Sequence, residues 1–418
     1  MPTRPTIAFP KNFLWGAATS AHQVEGGLNN QWTVWELENA KALATQAPYQ
    51  FGDLPNWNEI RHEARMPENY VSGKTVDHYR LYQHDIALLK KLHLNTYRCS
   101  IEWSSIQPEE GVWNASEVEH YRGVLTELKK QGIVPVVTLF HFTLPVWFAK
   151  MGGFEKRSNN RHFLEYVDRL TDELGDLLGI IITINEPEVY AAMSYLEARW
   201  PPQQHNRWLA LRVLNNLIRV HNQTAALLHK KSPHYEVSVA KNSVWVHPGD
   251  DAWLTIRSAG FMQYLQDDYV LKRVVKTCDF IGVNYYFSDR VYGYRKHNPN
   301  QRLSDLGWDM QPGDLEHALV RLHEKYKKPI LITENGLADA DDSDRKWWIM
   351  QTIVAMQRAL EKDVHLIGYI YWSLLDNFEW DKGFWPKFGL VEVDRQSMKR
   401  TIRPSAAWFA RVIKRLSA

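Results

Sequence analysis

This sequence has few of the features that mark disulfide-stabilised, nucleic-acid-binding or membrane-spanning proteins. Cysteine occurs only twice in 418 residues, at Cys99 and Cys278, which excludes a disulfide framework; we expect both thiols to be buried, reduced and inert. The formal net charge of +2 gives no electrostatic reason to expect nucleic acid or a membrane surface as a partner. No apolar stretch follows the first charged residues, so we expect no signal peptide, no transmembrane helix and a cytoplasmic location.

Glycine-rich phosphate loops, low-complexity linkers and short-period repeats are also missing from the sequence, which narrows the choice of fold. A nucleotide-binding open sheet would carry a GxGxxG or GxxxxGK[ST] motif, and neither occurs. Eight short apolar runs instead alternate with helix-period segments such as 79–92, 161–178 and 345–361. This alternation predicts one α/β domain over 1–418, a closed (β/α)8 TIM barrel. The predicted strands lie at about 13–21, 94–101, 133–141, 179–186, 236–241, 279–286, 329–335 and 367–373.

Long connections interrupt this alternation at about 25–75, 187–207 and 287–316. They follow the carboxyl ends of the first, fourth and sixth predicted strands, on the face where barrel enzymes build their active sites. The acidic run at 339–344 follows the seventh strand, and we expect it to be a solvated loop that caps the next helix rather than a metal site.

Two glutamates end two of the predicted strands. Glu186 closes the run IIITINE before a proline, and Glu334 closes the run ILITE before Asn-Gly. A carboxylate at the tip of a buried strand is costly unless it lines a cleft with partners, so we expect the two to meet in the folded state. Paired carboxylates carry out glycoside hydrolysis. The alternative is that each carboxylate only holds loop backbone.

Polar residues also stand at the ends of most other predicted strands. They include Gln23 after the first strand, Arg98 in the second, His141 in the third, and Asn284 and Tyr286 in the sixth. The chain has 18 tryptophans, whose indoles form flat platforms for the apolar faces of sugars. A polar pocket ringed by tryptophan suits a polyhydroxylated ligand. The tryptophans near strand ends are Trp15, Trp103, Trp147, Trp372, Trp380 and Trp385.

Taken together, these motifs resemble glycoside hydrolase family 1, the family of retaining β-glucosidases and β-glycosidases. The resemblance runs nearly end to end, through FLWGAATSA at 13–21, DHY at 77–79, YRCSIEW at 97–103 and FGLVEVD at 388–394. It implies hydrolysis of terminal β-D-glucosyl residues, with galactosyl and fucosyl residues also in view, through a covalent glycosyl-enzyme. It implies no metal and no organic cofactor.

The resemblance also implies a role for each site residue. Glu334 resembles the nucleophile and Glu186 the acid/base, with an expected carboxyl separation of about 5–5.5 Å. Arg98, Tyr286 and Asn284 would support the nucleophile. The predicted sugar-binding residues are Gln23, His141, Asn185, Trp372, Glu379, Trp380 and Phe388.

Two positions depart from the commonest family pattern, because Phe142 and Glu188 stand where tryptophan is usual. We expect Glu188 to face the leaving-group side, so the aglycone preference is open. A 6-phospho-β-glycosidase is one alternative, but Glu379 and Pro386 replace the serine and lysine that would hold the phosphate. A non-catalytic sugar-binding barrel and an enzyme that mainly transfers sugar to alcohols are the others.

Overall fold

The barrel strands form as the alternation of apolar runs predicts. The computed structural model describes residues 8–298, 300 and 302–417. Eight parallel strands close into a barrel, and the last pairs with the first from Leu14 opposite Gly368 to Ala18 opposite Trp372. Each predicted run overlaps one strand, so the TIM-barrel prediction is confirmed. The strands are β1 Leu14–Ala18, β2 Thr96–Ser100, β3 Val134–Thr138, β4 Ile180–Asn185, β5 Glu236–Asn242, β6 Ile281–Asn284, β7 Ile330–Asn335 and β8 Leu366–Trp372.

An outer layer of helices covers the barrel. Except for the first part of the fifth, these helices turn a buried apolar stripe toward the strands, as the 3.6-residue period of the sequence requires. The fifth is continuous in direction but contains a π-helical turn, Tyr264–Asp268, between two α-helical parts. The helices are α1 His78–Lys91, α2 Ala115–Lys130, α3 Asn160–Leu174, α4 Arg207–Lys231, α5 Trp253–Gln263 with Tyr269–Val274, α6 Leu315–Tyr326, α7 Arg345–Leu360 and α8 Pro404–Leu416.

The barrel interior is filled by small and branched side chains from successive strands. Ala18, Val136, Ile182, Leu331 and Ile370 form one buried cluster there. Close strand approach also excludes side chains at some positions. A Cβ on residue 368 would lie 2.6 Å from the Cβ of Leu14, so glycine is needed where β8 meets β1. A tightly filled interior fixes the strand ends, and with them every side chain that the strands carry to the pocket.

Extra elements extend the connections at the carboxyl ends of the strands. Gln31–Phe51 and Trp57–Ala64 form helices after β1, and the helix Pro187–Tyr195 follows β4. Strands Trp245–Pro248, Ser288–Tyr292 and Arg295–Lys296 form a small sheet above the barrel. Other elements are the short helices Ala21–Val24, Trp103–Ile106 and Val146–Lys150, and the hairpin Val391–Asp394 with Lys399–Ile402. Short 3-10 helices lie at Pro67–Tyr70, Gly153–Glu155, Arg157–Asn159, Gly175–Leu177, Pro312–Asp314 and Trp380–Lys382.

The acidic run caps helix α7, as predicted, but its first residue is buried rather than solvated. The Asp339 carboxylate accepts the Arg345 backbone N–H at 2.7 Å, and the Arg345 guanidinium, itself fully buried, pairs with Asp342. Both cysteines are free, and burial raises the pKa of Cys99 to about 12 and that of Cys278 to about 11. In the part of the chain that the structure describes, no helix is long and apolar enough to cross a membrane.

Candidate active site

The two strand-end glutamates are both buried at the mouth of the barrel. Glu334 is the fifth residue of β7, and Glu186 follows directly on β4. Glu186 has a φ of +40° and precedes the helix Pro187–Tyr195, which starts with proline at its first position. Its backbone N–H donates to the carbonyl of Ala240 on β5 at 2.8 Å. This strand–turn–helix transition fixes where the carboxyl group of Glu186 stands.

The Glu334 carboxylate accepts hydrogen bonds at both oxygens. Arg98 Nη1 donates to Oε1, and the hydroxyl of Tyr286 donates to Oε2 at 2.6 Å. Arg98 is itself buried and is held by Thr138 Oγ1 at 3.1 Å, by the Thr333 carbonyl and by Asn185. Burial and the charge of Glu334 raise the pKa of Tyr286, so its phenol stays a donor. A carboxylate oriented by a buried cation and a phenol has the geometry that an attacking group requires.

The surroundings of Glu186 favour its uncharged form, unlike the cation and phenol around Glu334. Burial raises the pKa of its carboxyl group well above the ordinary value, and the negative charges of Glu334 and Glu188 raise it further. The Asn284 amide donates to Glu186 Oε1 at 2.8 Å. This hydrogen bond and the charge of Lys241 lower the pKa of Glu186 and so oppose the shift. The raised pKa favours a protonated Glu186 that can donate its proton, whereas the Glu334 carboxyl group is paired with the buried guanidinium of Arg98.

A chain of amides links the surroundings of the two glutamates. The Asn185 side-chain oxygen accepts from Arg98 Nη2 at 2.7 Å and from Asn284 Nδ2 at 3.2 Å. The Asn185 amide lies 3.3 Å from His141 Nε2. Burial, with the charge of Arg98, lowers the pKa of His141 well below its usual value, so the imidazole is neutral. Within the described residues its Nδ1 has no hydrogen-bond partner.

The far side of the pocket carries a carboxylate and parallel aromatic rings. Gln23 Nε2 donates to the Phe378 carbonyl at 2.7 Å and approaches Glu379 Oε2 at 3.3 Å. Burial raises the pKa of Glu379 to about 7, although the charge of Lys382 opposes the shift. The His141 ring lies nearly parallel to the Trp372 and Trp380 indoles, at centroid distances of 5.9 and 6.1 Å.

These side chains surround a cavity of about 280 Å³. Ten of the twelve predicted site residues line it, and the other two, Arg98 and Asn284, lie behind its wall. Arg98 pairs with Glu334 as predicted, whereas Asn284, predicted to support Glu334, donates to Glu186 instead. The ten are Gln23, His141, Asn185, Glu186, Tyr286, Glu334, Trp372, Glu379, Trp380 and Phe388. The predicted roles of these residues stay predictions, because position alone does not assign them.

Sequence reasoning missed the part of the wall that comes from loops. Of the six strand-end tryptophans, Trp372 and Trp380 line the cavity, Trp15, Trp103 and Trp385 are core residues, and Trp147 packs partly buried against the core. Among the missed residues Asn242 ends β5, and Val189 and Met193 lie on the helix Pro187–Tyr195. The others lie on connections that no alternation or strand end marks, and only the aromatic ones carried a compositional signal. The missed lining residues are Val189, Met193, Arg199, Trp200, Asn242, Phe287, Trp308 and Lys382.

The expected position of Glu188 is wrong. Its Oε1 accepts Lys241 Nζ at 2.7 Å and the Asn242 backbone N–H at 3.0 Å, so the carboxylate turns away from the cavity toward β5. Val189 and Met193 of the same helix line the cavity in its place. The Lys241 side chain is fully buried, and leaving its charge without a partner would be strongly destabilising. This explains why Glu188 turns toward Lys241 and not toward the cavity.

The site and fold are those of a glycosyl hydrolase. The family model described as glycosyl hydrolase family 1 matches residues 6–276 and 254–417. β-Glucosidase A of Thermotoga maritima is 29% identical over 461 positions, covering 97% of this chain and 98% of the relative. The chain belongs to glycosyl hydrolase family 1, and it is a retaining β-glycosidase.

Solved structures agree with this assignment. A β-glycosidase from Pyrococcus horikoshii superposes with a TM-score of 0.85 at 33% identity, covering 99% of this chain and 98% of that one. A β-glucosidase from Thermotoga maritima in complex with glucoimidazole gives a TM-score of 0.85 at 27% identity, covering 98% of this chain and all of that one.

Proposed function

We propose that the chain is a β-glucosidase that uses Glu334 as nucleophile and Glu186 as acid/base. The observation that carries the proposal is the unlike environment of the two glutamates. Glu334 accepts from a buried cation and a phenol, whereas burial and the charge of Glu334 keep Glu186 protonated. Such a division between two carboxyl groups matches the requirements of retaining glycoside hydrolysis.

In the first step, an oxygen of Glu334 attacks the anomeric carbon of the substrate. The bond from that carbon to the leaving oxygen breaks, and the proton of Glu186 passes to that oxygen. The products are a free alcohol and a glycosyl ester of Glu334. Ester formation removes the negative charge of Glu334 with which Arg98 is paired. The Tyr286 hydroxyl remains beside the carboxyl oxygens of Glu334.

In the second step, the ionised Glu186 takes a proton from water. The water oxygen bonds to the anomeric carbon, and the ester bond to Glu334 breaks. Two displacements restore the original configuration. Glu186 returns to its protonated form, since burial and the freed charge of Glu334 again raise its pKa.

We assign sugar recognition to the polar and aromatic wall opposite the helix Pro187–Tyr195. Glu379, held beside Gln23, would accept hydrogen bonds from sugar hydroxyls. The unpartnered Nδ1 of His141 offers one more polar atom in the described site, and Trp372 and Trp380 offer apolar faces. The glucosyl preference is proposed from the similarity to β-glucosidases, and galactosyl and fucosyl groups are further proposed substrates.

A phosphorylated sugar is the second candidate substrate, because Lys382 lines the cavity. Its ammonium group is already paired with Asp381 at 2.9 Å, and Glu379 would repel a phosphate. We therefore favour unphosphorylated glycosides. A barrel that only binds sugar would have no use for the two contrasting glutamates.

A panel of nitrophenyl β-glycosides, including the glucoside 6-phosphate, tests the proposal with wild type, Glu334→Ala and Glu186→Ala. We expect wild type to release nitrophenol, mainly from the glucoside, and Glu334→Ala to be inactive. Added azide should rescue the two variants with opposite anomeric products, because it replaces the nucleophile in one and the attacking water in the other. Identical products, or an active Glu334→Ala, would refute the roles. Comparing glucose with transfer products in added alcohol separates hydrolysis from transglycosylation.

We also propose that 1–418 is one domain and that the enzyme is cytoplasmic. A single cooperative unfolding transition by calorimetry supports the first point, and two resolved transitions would contradict it. Cell fractionation tests the second.

A further inference from the structure

The first part of helix α5 exposes an unusual number of large apolar side chains. Trp253 and Phe261 are 70% and 63% exposed, and Leu254, Ile256 and Leu265 are about half exposed. Thr255, Ala259 and Gln263 form the buried side of the same helix. We call the five exposed residues, Trp253, Leu254, Ile256, Phe261 and Leu265, the apolar helix face.

The members of the apolar helix face lie on one side of the helix. At about 100° per residue, Trp253, Leu254 and Phe261 fall within about 100° of arc, Ile256 lies about 60° on the other side of Trp253, and Leu265 lies in the π-helical turn that follows. A helix of a globular protein normally turns such a stripe inward. Exposed apolar patches of this kind mark interaction sites.

The face lies beside the mouth of the catalytic pocket. Helix α5 follows β5, whose last residue, Asn242, lines the cavity. Tyr294, 67% exposed, lies in the adjoining small sheet, and the Gly293 N–H donates to Thr255 Oγ1 at 2.8 Å. Exposed apolar residues also follow the neighbouring strand β4, at Leu196, Trp208 and Leu211.

Cations accompany the aromatic side chains of this surface. The Arg257 guanidinium lies 5.9 Å from the Trp253 ring, and that of Arg295 lies 5.6 Å from Tyr294. Lys272 lies 5.1 Å from the Tyr264 ring, on the same helix. The nearby acids, Asp250 and Asp251, precede the helix, and Asp250 accepts the Ala252 N–H there at 3.0 Å.

We infer that the apolar helix face docks on the surface of a bilayer that contains anionic phospholipids. Trp, Phe and Leu side chains would enter the headgroup boundary while Arg257, Arg295 and Lys272 contact lipid phosphates. A second copy of this chain is the less favourable occupant, because a two-fold contact through this face would bring the same three cations together. This docking is independent of the proposed catalytic roles.

Vesicle sedimentation of the full chain tests this inference. The probes are phosphatidylcholine vesicles with and without about 30% phosphatidylglycerol, and the variant is W253S/F261S. We expect wild type to bind the anionic vesicles, with weaker binding to pure phosphatidylcholine. The double variant should bind at least about tenfold more weakly, since it loses two large apolar groups.

Tyr49→Ser provides the matched control. Tyr49 is 91% exposed, but its helix follows β1, which lies across the barrel from β5, so its vesicle binding should equal that of wild type. Both variants should hydrolyse a soluble nitrophenyl glycoside at the wild-type rate and keep the wild-type circular dichroism spectrum. None of the three changed positions lines the catalytic pocket described above.

Any one of four outcomes would overturn the inference. The first two are wild type that remains in the supernatant with anionic vesicles, and W253S/F261S that binds as well as wild type. Equal binding to both vesicle types would contradict the anionic preference. A wild-type dimer in sedimentation velocity that W253S/F261S abolishes, without vesicle binding, would show that a second copy covers the face.

Discussion

Replacing Tyr286 with phenylalanine removes one of the two hydrogen bonds that hold the proposed nucleophile. The Tyr286 hydroxyl donates to Glu334 Oε2 at 2.6 Å, and Glu334 is only 4% exposed. A hydrogen bond to a charged group contributes about 1.5–3 kcal/mol. At about 1.4 kcal/mol for each factor of ten, kcat/KM for a nitrophenyl β-glucoside should fall by about 10- to 150-fold. The loss stays partial because Arg98 still pairs with Oε1.

The neighbouring tyrosine supplies a control of the same chemistry. Tyr285 is fully buried, and its hydroxyl donates to the Gln311 carbonyl at 2.8 Å, away from the glutamates. Tyr285→Phe should lower the free energy of unfolding by about 1 kcal/mol and leave kcat/KM near the wild-type value. If Tyr286→Phe keeps kcat/KM within about threefold of wild type, the orienting role is refuted. Equal losses in both variants would instead show a general effect of disturbing β6.

Three further predictions concern charge in and behind the site. Glu188→Gln should move the basic limb of the pH–rate profile to lower pH, because the charge of Glu188 helps to raise the pKa of Glu186, and a pH series of kcat/KM measures the shift. Glu379→Ser should lower kcat/KM for the glucoside by about 10- to 100-fold and raise the ratio for its 6-phosphate, since a repelling carboxylate is lost. Asp85→Asn should cost about 3–5 kcal/mol in urea unfolding at neutral pH, because it leaves the buried Arg400 without its charged partner.

The sign of the pH effect on stability follows from the surroundings of Asp85. Burial alone would raise the pKa of its carboxyl group, but His78 and Arg400 lower it below the ordinary value. The stabilisation is therefore present above the unfolded pKa of about 3.9 and is lost as pH falls through the lower folded pKa. The difference between Asp85→Asn and wild type should shrink in that acidic range. A difference that is unchanged at pH 2 would refute the assignment.

Two matched variants serve the same predictions. Lys241→Met should shift the basic limb to higher pH, opposite to Glu188→Gln, because the lysine charge lowers the pKa of Glu186. Shifts in the same direction would contradict the electrostatic explanation. Asp176→Asn removes an exposed partner of Arg122 and should cost less than about 1 kcal/mol.

The barrel could be predicted from the sequence because its determinants are local. A parallel strand buried on both faces must be an apolar run, and the closed barrel fixes where each run ends. Side chains at those ends, such as Glu186 and Glu334, therefore converge for geometrical reasons. Loop residues such as Trp200 and Trp308 have no such constraint on their position. Glu188 shows the second difficulty, because its direction depends on a buried lysine from another strand.

Tryptophan shows most clearly why composition cannot replace structure in this chain. The same residue type fills the core at Trp15, lines the sugar pocket at Trp372 and faces solvent at Trp253. Likewise, a net charge of +2 averages over the whole surface and conceals cations grouped beside exposed aromatic rings. The expectation of no membrane partner rested on that average. Binding to a bilayer depends on local apolar area and local charge. The inferred docking therefore rests on the apolar helix face and not on the total charge of the chain.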